Sequence, residues 1–139
     1  MDVNNIYDDA RVKLLTAAFN WPVTDLVLTA WPGTPNFVAT DKTLSQITAR
    51  GFTARGHSQA VTSKTVSADG TAQTNQVLIP TVPVGASVTW FTMSKRMATI
   101  ALSELILYID EAVELPFVPN GLDLIVNPDW LSNRGWWKP

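Results

Sequence analysis

A chain of 139 residues with 46% hydrophobic and 16% charged content is sized for one domain with a full core and lies outside the disordered class. A formal net charge of -2 gives no general attraction to nucleic acid, and the absence of Cys excludes disulfides, thiolate metal sites and a Cys nucleophile. No run approaches the roughly 20 apolar residues of a membrane helix, and the acidic start MDVNNIYDDA lacks a signal-peptide pattern, so folding in the cytoplasm without membrane insertion is expected.

The opening predicts a helix over 4–19, with Ile6, Ala10, Leu14 and Ala17 at helical spacing and Leu15 and Ala18 widening the stripe. Asn4 or Asn5 can cap it, Asp8 and Asp9 suit its first turn, and Arg11 and Lys13 suit its later ones. Asn20 and Pro22 close it. The period then changes to two: in 24–30, Leu26, Leu28 and Ala30 face a core from one side of a strand. Trp31 to Asn36 reads as a turn cluster, and Asp41 as the cap of a short helical turn over 43–48 that buries Leu44 and Ile47.

From Gly51 onward the pattern is β. Strands are expected over 58–67 and 71–80, joined by a hairpin at Ala68-Asp69-Gly70. A turn at Val82-Pro83-Val84-Gly85 leads into a strand over 86–94, which sets Val88, Trp90 and Thr92 opposite Thr89, Phe91 and Met93. The apolar run 100–109 reads as a further strand, 111–121 as a long loop, and 122–126 as the last clear strand. The sum is a single mainly-β domain, a β-sandwich or jelly-roll-like fold of about seven to eight strands with one N-terminal helix.

Chemistry-bearing residues are sparse. His57 is the lone histidine; Ser58 beside it would face the other way on a strand, so a polar loop or strand-edge position is expected. Asp110, Glu111, Glu114 and Asp123 flank the long loop as a solvated acidic rim, and would have to converge in a cleft for glycoside hydrolysis. Arg50, Arg55, Lys64, Lys95 and Arg96 are scattered, without the aromatic interleaving of a single-strand groove, and suit ion pairs across subunits.

Three of the six tryptophans lie at the end of the chain, Trp130, Trp136 and Trp137. On an extended segment the adjacent pair points to opposite faces, one inward and one outward. Trp130, Trp136, Trp137, Phe117 and Arg134 are the candidate protein–protein interface residues, since aromatic and Arg side chains dominate interface hot spots.

Taken in order, these features resemble a family of small tailed-bacteriophage virion proteins. The resemblance runs through the opening helix from Ile6-Tyr7-Asp8 to Trp21, then 58–66 (SQAVTSKTV) with Asp69-Gly70, and 82–87 (VPVGAS) before a strand. It continues with Leu107-Tyr108-Ile109-Asp110 and 115–121 (LPFVPNG) ahead of a terminal hairpin, while Pro128 and Trp136-Trp137 depart from a plainer ending. The resemblance implies a non-enzymatic virion component, without cofactor, membrane or direct nucleic-acid contact. The first expectation is a head decoration or cement protein, homo-oligomeric on the particle, that binds the major capsid protein or another virion protein. A neck, tail or fibre component is the alternative, and a small carbohydrate-active enzyme the second.

Overall fold

Two long antiparallel strands, β2 (Leu26–Pro32) and β7 (Val88–Lys95), pair along their length and form the centre of the molecule. The computed structural model describes residues 5–68, 71–110, 114–127 and Trp136. Among these, nine strands and two α-helices make a mainly-β domain, as the sequence pattern predicts. The remaining strands are β1 (Asn5–Ile6), β3 (Gly56–His57), β4 (Thr65–Val66), β5 (Ala72–Gln73), β6 (Val77–Ile79), β8 (Glu104–Ile109) and β9 (Leu124–Val126). A five-stranded antiparallel sheet runs β1-β8-β7-β2-β3, and two ribbons, β4-β5 and β6-β9, accompany it.

Register explains how the sheet divides its burial. Trp31 faces Trp90, Thr29 faces Thr92, and Thr92 faces Tyr108, so these side chains share one face. Leu28, Ala30, Phe91, Met93, Leu107 and Ile109 share the other. The first face is aromatic: Trp31 stacks on Trp90 at 5.6 Å, Phe52 meets the Trp90 edge at 5.4 Å, and Phe37 bridges Tyr7 and Tyr108 at 5.1 Å each. The second is mostly aliphatic, with Phe91 its one ring among these residues, and carries the ribbons. β2 is therefore buried on both faces, where the alternation of 24–30 predicts one, and it continues through Trp31 and Pro32, which the sequence assigns to a turn.

The N-terminal helix is shorter than the expected 4–19. Asn5 and Ile6 pair with Tyr108 and Leu107 as an edge strand, and helix α1 spans Asp8–Leu15. Tyr7, not an asparagine, occupies the N-cap, with its ring sunk in the aromatic face. Ala17 adopts a left-handed φ of 61°, which ends the helical path before Asn20. Ile6 and Ala10 of the expected stripe are buried, but Leu14, Leu15, Ala17 and Ala18 are exposed, so the stripe packs only at its N-terminal end. Asp8, Asp9 and Lys13 do complement the helix ends.

Helix α2 (Leu44–Ala49) buries Leu44 and Ile47 as expected, but Thr43 is its cap, in a capping box with Gln46. Asp41 instead pairs with Arg50 through two contacts of 2.8 and 2.7 Å. The predicted strands 58–67 and 71–80 are interrupted: β3 precedes the first and β4 takes only two residues near its end, while β5 and β6 divide the second. Residues 69 and 70 of the predicted hairpin lie outside the described residues, and the strands on either side pair, Thr65 with Gln73 and Val66 with Ala72. The run 100–109 begins with a 3-10 turn, Ile100–Leu102, before β8. β3 approaches the β6-β9 ribbon so closely that a Cβ on Gly56 would lie 2.6 Å from Ile79 Cγ2, which only glycine avoids.

Candidate interface site

Trp136 takes the inward of the two orientations open to the terminal pair. It is fully buried, its backbone N–H donates to the Ala72 carbonyl at 2.8 Å, and its indole N–H donates to Thr74 Oγ1 at 2.7 Å. Trp21 grips the same segment, donating from Nε1 to the Gln73 carbonyl at 3.1 Å. A buried Trp N–H needs such an acceptor, and each indole here has one. Two tryptophans distant in sequence thus fix the short strand β5.

Phe117 is half-buried: it packs against the core, and its backbone exchanges hydrogen bonds with Val88 at 2.8 and 2.9 Å. It joins the beginning of β7 to the long loop. Trp130, Arg134 and Trp137, the other interface candidates, lie outside the described residues.

An apolar cleft opens beside β5. Its floor is Ile6, Leu26 and Leu107 from the aliphatic face of the sheet, its walls are Phe19 and Trp21, and Ala72 closes one side. Leu14 of α1 and Val66 of β4, both exposed, stand at its mouth. The volume is about 170 Å³, and none of its described lining residues is titratable. A concavity of this composition accepts apolar side chains, and no group in its described lining can move protons. Sequence periodicity could not locate it, because its lining comes from six separated segments, and Leu14, which helical spacing assigns to a core face, stands at the mouth.

Charges surround the cleft unevenly. Lys13 sits between Asp9 at 2.8 Å and Glu104, and Lys95 lies 3.9 Å from the same Glu104. Burial alone would depress Lys13, but its hydrogen bonds to the two carboxylates outweigh that and raise its pKa. Both ammonium groups also approach the Phe19 ring, at 5.3 and 5.9 Å. Lys64, half-buried, donates to the carbonyl of Thr24, a cleft residue. Among the described residues no carboxylate pairs with Lys64; neighbouring Asp25 faces Arg96 at 3.7 Å.

The remaining candidates are placed apart from this cleft. His57 lies on edge strand β3, as its sequence context predicts, with Nδ1 3.0 Å from Thr29 Oγ1. Burial lowers its pKa, and the Arg96 guanidinium lowers it further. Ser58 is committed to the backbone, accepting from Leu28 N–H and donating to the Gln59 carbonyl.

Asp110 accepts from the Tyr108 hydroxyl at 2.7 Å, and Asp123 accepts from Thr81 N–H at 2.8 Å. Burial raises the Tyr108 phenol far above its ordinary range, and the Asp110 carboxylate adds to that. Glu111 lies outside the described residues. No group of three His, Asp or Glu side chains suited to a metal occurs among the described residues. Within the chain the basic residues have these partners: Arg50 pairs with Asp41, Arg96 with Asp25, Lys95 with Glu104, and Arg55 donates to the Pro83 carbonyl at 2.6 Å. No family model, curated protein or solved structure matches the chain.

Proposed function

We propose that the chain is a non-enzymatic structural protein of a tailed-phage particle, a decoration or cement protein that binds and stabilises the shell of major capsid protein. The observation that carries a binding role is the open apolar cleft between α1, β4 and the sheet, since its described lining has no titratable group and exposed Leu14 and Val66 extend it outward. Assignment to a virion rests on the ordered resemblance of the sequence elements, from Ile6-Tyr7-Asp8 to Leu115-Pro116-Phe117. A compact β domain held by buried tryptophans, without cysteine, suits assembly in the host cytoplasm and repeated use on a lattice. Many copies let each contact stay modest, because linked contacts on one particle reinforce one another.

A neck or tail position uses the same surface to build a ring. Gel densitometry on purified particles separates the two. Decoration of the head predicts copies in proportion to the shell protein, whereas a ring component is present in the stoichiometry of one ring. Absence from washed particles refutes both.

A further inference from the structure

We propose that the cleft beside β5 docks a protein segment carrying a large apolar side chain next to an acidic one, with Lys64 receiving the carboxylate. Lys13 and Lys95 are balanced by Asp9 and Glu104, and Asp25 faces Arg96, which leaves Lys64, among the described residues, as the uncompensated cation at the rim. An ammonium carries three donors, and the Thr24 carbonyl takes one. A half-buried cation held by a single neutral acceptor gains from an incoming carboxylate, through a bond about twice as strong as a neutral one.

Size selects the apolar part. An apolar cavity of about 150 Å³ holds a benzene ring, so about 170 Å³ has room for one phenyl or branched aliphatic side chain. Exposed Val66 and Leu14 would surround such an anchor and exclude water from the ammonium–carboxylate contact. The identification of the donor as a neighbouring virion subunit rests on the proposed function; the chemistry of the cleft does not.

The test is a titration of the isotope-labelled full chain with N-acetyl-Phe-Glu-amide and with its Phe-Gln counterpart, followed by amide chemical shifts. The expected result is perturbation centred on Thr24, Ala72 and Leu107, with the Glu peptide binding several-fold tighter than the Gln peptide. Lys64→Gln should remove that difference while leaving weak binding of both, and Val66→Glu, at an exposed position, should abolish both with the spectrum otherwise unchanged. Equal binding of the two peptides by the unaltered chain, or shifts elsewhere on the surface, would overturn the proposal. So would saturation of the cleft by dodecanoate but not by either peptide, which would assign it to a lipid anion. No particle enters this experiment, so its failure is separate from failure of the virion reading, which particle stoichiometry decides.

Discussion

Trp31 and Thr92 are joined across the two central strands by a buried hydrogen bond of 2.9 Å from the indole N–H to the hydroxyl. Both residues are fully buried, and the same Trp31 ring stacks on Trp90. The bond lets a polar donor occupy the middle of the sheet's aromatic face. Thr92→Val keeps the shape and removes the acceptor, so the N–H is left unpaired away from water. A loss of about 1–3 kcal/mol is expected, read as a lower midpoint in urea unfolding with an unchanged slope.

Trp136 has the comparable role at the chain's other margin. Truncation to Ala removes a fully buried indole together with its bond to Thr74. The expected cost is about 3–5 kcal/mol. Thr74→Val, which keeps the ring but removes its acceptor along with that hydroxyl's own bond to the Asn75 carbonyl, should cost about 1–3 kcal/mol. Thermal unfolding of the two variants checks the order: equal losses would mean that the ring's packing contributes little.

The Asp41–Arg50 pair gives a third expectation. The Asp41 side chain is 5% exposed and that of Arg50 30%, so the pair is only partly removed from water. Arg50→Ala strands a buried carboxylate, at a cost below the roughly 3–5 kcal/mol of a fully buried pair because water can reach the vacated side. Arg50→Lys should recover only part of it, since an ammonium cannot make the two-pronged contact and also reach Asn36 as the Arg50 Nε does at 2.8 Å. Urea midpoints of the two variants measure both effects.

His57 links stability to pH. Its folded pKa lies below the ordinary 6.5, so the unfolded chain takes up the proton first. The contribution of neutral His57 is complete above that value and declines as pH falls from it towards the lower folded pKa. Unfolding midpoints for the unaltered chain should therefore drop between neutral pH and mild acid. His57→Gln should flatten that part of the profile. An identical slope in the variant would assign the effect to other groups.

Much of the β architecture is legible in the sequence, for definite reasons. The alternating 86–94 segment and the Val82 to Gly85 turn appear nearly where the pattern puts them, because local alternation and turn chemistry decide them. The N-terminal helix is overestimated because Ile6 satisfies a helical stripe and also an edge strand against Leu107, and the tertiary pairing wins. Trp31 and Pro32 read as a turn because Gly33 follows, yet the register with Trp90 and Val88 holds them in β2. The cleft is illegible for a different reason. It exists only where α1, the sheet and β4 converge, and no window of sequence contains those three.

The proposed coating of a phage head is open to test by reconstruction of the purified particle. Repeated density that fits the five-stranded sheet is expected on the outer surface of the shell, with a capsid segment lying in the cleft between Leu14 and Val66. Density for the domain confined to the neck or tail, or a shell surface bare of it, would refute a head decoration role.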